Sequence, residues 1–167
     1  LHDALPICQA LQAEMDYLKY QINPHFFMNT LNNIHALIDI DSETAKDTVI
    51  ELSKMMRYVL YDAEQHSISL EKEIHFLQHY IQLMRLRYSD TVEIKVDVPE
   101  QLPMGVKIPP LIFIVFVENA FKHGVSYNSR SFIHITIELN EAYDRVICRV
   151  SNSKNPSKWN TQGGIGL

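Results

Sequence analysis

The chain has 167 residues, 46% hydrophobic and 21% charged, with 15 Lys plus Arg against 20 Asp plus Glu and a formal net charge of −5. This much apolar surface can offset the entropy of ordering a chain and excludes intrinsic disorder. Two cysteines, Cys8 and Cys148, exclude a disulfide scaffold, and the acidic balance argues against a nucleic-acid partner. The longest strictly apolar run, Leu111 to Val117, falls far short of the ~20 residues a membrane-spanning helix requires.

The first residues, LHDALPI, have neither the charged nor the apolar segment of a signal peptide. They match one translated frame of a common sequencing adapter, so residues 1–8 are read as a non-native segment; removing Asp3 takes the charge from −5 to −4. From Gln9 to Ile22, the residues Leu11, Met15, Leu18 and Ile22 recur at helical spacing. Pro24 interrupts the pattern, and a second stripe through Phe27, Leu31, Ile34 and Ile38 predicts a helix with that face toward the core. Ser42 opens another helix reaching about Asp62 through Val49, Leu52, Met56 and Val59. A further helix starts near Ser69 and Leu70, with Glu71 and Glu73 favourable in its first turn. It runs to about Tyr88 through Ile74, Leu77, Ile81, Met84 and Leu86.

The pattern then changes. Thr91 to Val98 alternates as a half-buried strand ended by Pro99. Pro109-Pro110 opens Leu111 to His123, whose length and lack of alternation predict a buried helix with proline at its first turn. Phe132 to Leu139 and Arg145 to Val150 read as strands of a hairpin joined by Asn140 to Asp144, and Asn152 to Gln162 as loop. The expected class is α+β in two modules with a boundary near 88–91.

Four motifs carry possible chemistry. In QINPHFFMNTLN, His25 lies about 150° around the helix from the predicted core stripe, with Asn29 and Asn32 on its own face. On these facts alone, a surface histidine beside a proline kink is the commoner explanation. In VENAFKHG, Asn119 and Lys122 share a helix face, where an amide oxygen can bind Mg²⁺ and an ammonium can meet phosphate. The plain alternative is a helix end with Lys122 and His123 at its negative pole and Gly124 as cap. Gly163-Gly164-Ile165-Gly166 would let backbone N–H groups approach phosphate, though such turns are common. Val150-Ser151-Asn152-Ser153 ends a strand with polar groups suited to a base edge. His75 and His79 have a metal-clamping spacing, but an exposed helix face explains them better. Tyr58, Tyr61, Tyr80 and Tyr88 read as packing or rim residues.

Taken in order, these motifs resemble those of the LytS/YehU-type sensor histidine kinases of bacteria, from about Leu18 to Leu167. QINPHFFMNTLN is similar to that family's H-box, KIPPLIFIVFVENAFKHG to its N-box region and GGIGL to its glycine box. LSKMMRYVL and SLEKEIHFLQHYIQLMRLRYSD resemble the helices between. The resemblance implies a dimerising, phosphotransfer helical hairpin over residues 9–66, a connecting helix over 67–90, and a Bergerat-type (GHKL) α/β sandwich that binds ATP over 91–167, truncated after the glycine box. His25 would accept the γ-phosphoryl group, with Asn29 beside it, and pass it to an Asp of a response regulator, of LytTR type. Asn119 would hold Mg²⁺, Glu118, Lys122 and His123 would surround the phosphates, and Gly163, Gly164 and Gly166 would begin the phosphate-cradling turn. The chain would act as a homodimer, as the cytoplasmic portion of an inner-membrane protein whose anchor lies upstream.

Two departures stand out. Asn152 and Ser153 occupy the place where many ATPases of this superfamily have an adenine-reading Asp followed by Gly; an amide oxygen can accept the same hydrogen bond without the charge. The element after the glycine box is missing, so the ATP lid is incomplete. Phe26 follows His25 where an acidic neighbour would supply a base, and the general base stays unassigned. The rival from another class is a catalytically inactive dimeric scaffold with a degenerate ATP-binding domain.

Overall fold

The computed structural model describes residues 24–88, 92–126, 130–140, 142 and 144–154. The adapter-like segment, the first predicted helix, Trp159 and the glycine box with Gly163, Gly164 and Gly166 lie outside the described residues. The chain divides into two compact units. The first runs to Arg87 and takes in Lys107–Leu111; the second holds Tyr88–Val106 and the chain from Ile112 onward.

In the first unit, α1 spans Pro24–Ile38 and α2 spans Ser42–Arg57. Asp41 caps α2, its carboxylate accepting the Thr44 N–H at 3.1 Å and the Thr44 hydroxyl at 2.6 Å. Those bonds hold the Asp41 carboxyl below its usual range. Helix α2 runs into a π-helical turn, Tyr58–Asp62, where the periodicity predicts a continuous α-helix. Strand β1 (Ile68–Ser69) leads directly into α3 (Leu70–Arg87), and the Ser69 hydroxyl accepts the Lys72 N–H at 3.3 Å.

The predicted core stripes of the first two helices need correction. Helix α1 buries Phe26, Thr30 and Ile34, while Leu31 and Ile38 are about half exposed. Helix α2 buries Ala45, Thr48, Leu52 and Met55, while Val49 and Met56 face outward. The rotation follows from side-chain fit. Phe26 packs on Tyr80 of α3 with ring centroids 4.9 Å apart. The two threonines are admitted because each hydroxyl donates to the carbonyl one turn back: Thr30 to Phe26 at 2.8 Å and Thr48 to Thr44 at 2.6 Å. Helix α3 is the centre of this unit, burying Leu70, Glu73, Ile74, Phe76, Leu77, Tyr80, Ile81, Leu83 and Met84. Predicted core residue Leu86 is instead exposed.

Strand β3 (Lys107–Ile108) returns to this unit and pairs antiparallel with β1, Ile68 opposite Ile108 and Ser69 opposite Lys107. Beyond it, Leu111 adopts φ 61°, the left-handed region, and its N–H donates at 3.0 Å to the carboxylate of fully buried Glu73. The Tyr58 hydroxyl donates to the same oxygen. Strain in that region costs on the order of 1–3 kcal/mol. A hydrogen bond to a charged group contributes about 1.5–3 kcal/mol, so the carboxylate can hold the turn. The first turn of α3, where Glu73 lies, also favours negative charge.

The second unit is built on β2 (Val92–Asp97), α4 (Ile114–Gly124), β4 (Ser131–Leu139) and β5 (Val146–Asn152). The sheet order is β2-β4-β5. β2 and β4 are parallel, Val92 opposite Ser131 through Asp97 opposite Thr136, as a strand–helix–strand crossover requires. β4 and β5 form the predicted hairpin, and Asn140 Oδ1 accepts the N–H groups of Asp144 and Arg145 in its turn. Ile133, Ile135 and Ile137 are buried on one sheet face, and α4 packs on β4 and β5 through Val117, Ala120 and Phe121. Helix α4 starts at Ile114, later than predicted, because the left-handed Leu111 cannot belong to a right-handed helix.

Candidate active site

The residues singled out in the sequence fall into two groups, one in each unit. In the first, Pro24 opens α1 and His25 is exposed in its first turn. The Asn29 amide lies 3.1 Å from His25 Nδ1, one turn along, which the i, i+4 spacing anticipates. Asn32 is exposed. Asn29 thus meets the ring at Nδ1, and His25 is exposed while Phe26, Thr30 and Ile34 are buried.

In the second group, α4 buries Val117, Ala120 and Phe121, which leaves Asn119, Lys122 and His123 exposed; Glu118 is half-buried. Asn152 ends β5 beside the end of α4. Gly124 lies within the helix and does not act as its cap, which is Val125. What it provides is space: a Cβ there would lie 2.6 Å from Asn152 Cβ and 2.7 Å from Asn152 Nδ2. The end of the N-box-like helix and the polar strand end are therefore in close contact. Asn152 Nδ2 donates to the Ser153 carbonyl at 2.7 Å, and Ser153 closes the strand end by accepting the Phe132 N–H on its hydroxyl at 2.7 Å. Along this face Asn119 and Asn152 carry amide groups, and Lys122 and His123 carry N–H donors.

His79 has a different partner from the one its spacing to His75 raised. Its Nδ1 meets the Glu51 carboxylate of α2, and Lys54 joins Glu51 at 2.9 Å; His75 is exposed. Burial raises the Glu51 carboxyl, but hydrogen bonds from Lys54 and His79 outweigh it and bring it below its usual range. No cluster of three or more metal-binding side chains occurs among the described residues. Of the tyrosines, Tyr58, Tyr80 and Tyr88 are buried and Tyr61 is exposed. Tyr58 stacks on Phe76 with centroids 4.3 Å apart, and burial followed by the Glu73 charge pushes its phenol far up. Sequence reasoning misses the Tyr58–Glu73–Leu111 arrangement. A signal for it exists: Glu73 lies three residues after Leu70 and four before Leu77, a charge within the apolar side of α3.

Known proteins resemble this chain over most of its length. A family profile described as Histidine kinase matches residues 13–92. Sensor protein LytS of Staphylococcus saprophyticus is 36% identical over 154 residues, 92% of this chain and 26% of that protein. Sensor protein LytS of Oceanobacillus iheyensis is 34% identical over 81% of this chain and 23% of its own length. Sensor histidine kinase/phosphatase LytS of Staphylococcus aureus is 39% identical over 112 residues, 67% of this chain and 19% of its own length. The class is therefore histidine kinase. Within it, the chain belongs to the LytS-type sensor histidine kinases, and it spans about a quarter of the length of the curated relatives it matches.

Proposed function

We propose that this chain is the catalytic core of a two-component sensor kinase that phosphorylates its own His25 from ATP and passes the phosphoryl group to an aspartate of a response regulator, of LytTR type. The observation that carries the reading is an exposed His25 held through Nδ1 by Asn29 on a helix opened by Pro24. The Asn29 amide nitrogen lies 3.1 Å from His25 Nδ1, a contact that orients the imidazole for attack on phosphorus. Orientation of this kind supplies most of the catalysis in phosphoryl transfer.

Bound Mg²⁺ would neutralise charge on the nucleotide phosphates, with Asn119 as its ligand. Glu118, Lys122 and His123 lie on or beside the same helix face and would surround the phosphates, and the glycine box with Gly163, Gly164 and Gly166 would cradle them. The Asn152 amide nitrogen is engaged by the Ser153 carbonyl, so its oxygen is the atom suited to accept from an adenine amino group. Leu31, Ile38, Val49 and Met56 supply the apolar stripe on which a second copy would pack as a homodimer. Among the described residues no helix is long and apolar enough to cross a membrane. The reading, from the LytS relatives, places these units on the cytoplasmic side of an inner-membrane protein.

The test is incubation of the full-length protein with radiolabelled ATP and Mg²⁺. The expected product is an acid-labile, base-stable label that His25→Gln abolishes. A label that persists in that variant overturns the role of His25, and undiminished labelling of Asn119→Ala overturns the Mg²⁺ role. An unlabelled protein that still dimerises points instead to the scaffold.

A further inference from the structure

The end of β5 and the last turn of α4, both in the second unit, meet at the half-buried Asn152. Beyond it, Ser153 is tied twice to the backbone of Phe132. Its N–H donates to the Phe132 carbonyl at 3.1 Å, and its hydroxyl accepts the Phe132 N–H at 2.7 Å. The Ser153 carbonyl is thereby fixed in direction, and Asn152 Nδ2 donates to it at 2.7 Å. Gly124 lies against the same side chain: a Cβ there would stand 2.9 Å from Asn152 Cγ and 2.7 Å from Nδ2. The amide is thus held from two sides, with its nitrogen committed and its oxygen left to meet a ligand.

We propose that the Ser153 carbonyl and Gly124 select an amide over a carboxylate at position 152 and fix its orientation, so that Asn152 presents Oδ1 alone and favours an adenine base over a 6-oxo purine. Asn152 is then a specificity residue fitted to its setting and not a weakened carboxylate. An aspartate side chain in the same pose would turn an anionic oxygen toward the Ser153 carbonyl, which only a donor can satisfy. The same logic acts on the base. An exocyclic amino group at C6 donates to Oδ1, whereas an oxo group there sets oxygen against oxygen and leaves both unpaired. The discrimination between bases rests on the proposed nucleotide site; the choice of amide over carboxylate does not.

The test has two arms. In the first, thermal melting at neutral pH is followed for the 167-residue chain and for Asn152→Asp, which exchanges the amide nitrogen for oxygen at constant shape. The variant is expected to melt about 2–4 °C lower, as the loss of one hydrogen bond and a repulsive oxygen pair imply. A variant that melts at or above the wild-type temperature overturns the selection of an amide.

In the second arm, calorimetry on the full-length protein with Mg²⁺ compares ATP with ITP, whose base carries oxygen at C6. Wild type is expected to bind ATP about tenfold tighter or more. Asn152→Asp is expected to bind ATP severalfold more weakly than wild type. Asn152→Ala, which serves if Asn152→Asp fails to fold, is expected to bind the two nucleotides within about twofold of each other. Equal affinity of wild type for ATP and ITP overturns the discrimination between bases, and tighter ATP binding by Asn152→Asp overturns the selection of an amide. If wild type binds neither nucleotide, the nucleotide reading falls while the melting arm still decides which side chain position 152 is built for.

Discussion

The α1–α2 hairpin and helix α3 belong to the same unit and are both rich in large apolar residues, yet they use them in opposite ways. Helix α3 is covered on most sides, and its buried set runs from Leu70 to Met84. Each hairpin helix covers one stripe, Phe26–Thr30–Ile34 or Ala45–Thr48–Leu52–Met55, and leaves a second one about half exposed. The stripes left outside contain the larger share of Leu, Ile, Val and Met, and the stripes turned inward contain two threonines and an alanine. Periodicity thus locates apolar stripes without saying which of them the chain covers by itself.

That contrast can be broken by substitution. Leu77→Ala, at a fully buried position of α3, is expected to cost about 2–5 kcal/mol in urea unfolding. In the second unit, Gly124→Ala forces a Cβ to 2.6 Å from Asn152 and is expected to cost about 1–3 kcal/mol and to weaken nucleotide binding, read by calorimetry. Leu31→Ala, on the exposed stripe, is expected to change the stability of the isolated chain by about 0.5 kcal/mol or less. Its effect should appear in sedimentation, as dimer dissociation at higher protein concentration. If Leu31→Ala and Leu77→Ala lower stability equally, with no change in association, the distinction between the two regions is lost.

The smallest effects concern single titrating groups. Asp41→Ala should lower the melting temperature slightly at neutral pH. Because bonds from Thr44 depress the folded carboxyl, its contribution is complete above the ordinary carboxylate range, about pH 4, and is lost as pH falls through the lowered value. Melting curves of wild type and variant should therefore converge in acid. Burial raises the Cys148 thiol, so alkylation at neutral pH should be slow and should accelerate at alkaline pH or on unfolding.

Much of the fold is legible in the amino-acid sequence. The start of α1 at Pro24, the start of α3 at Ser69 and Leu70, the alternation of β2 and the turn at Asn140 all depend on neighbours within a few residues. So does the placing of His25 and Asn29 together, and of Asn119 and Lys122 on one helix face. The departures have a different character. Periodicity turns Phe27 inward, but Phe26 is the buried residue, because Tyr80 of α3 meets it there. The freedom of φ at Gly124 suggests a helix cap, whereas this glycine makes room for the side chain of Asn152 on a distant strand. The paired prolines suggest the start of α4, but a carboxylate 38 positions away along the chain holds Leu111 out of the helix.

By itself, then, the sequence determined the elements, the two groups of candidate functional side chains and the family, since helical periodicity, capping and motif spacing are local properties of the chain. Tertiary structure alone decided which apolar stripe is covered, which glycine is a contact, and what a lone acid on an apolar helix face is for. Each of those depends on a partner brought close by folding, and burial makes the pairing obligatory: a carboxylate with no access to water must find donors, and Glu73 finds them in Tyr58 and Leu111.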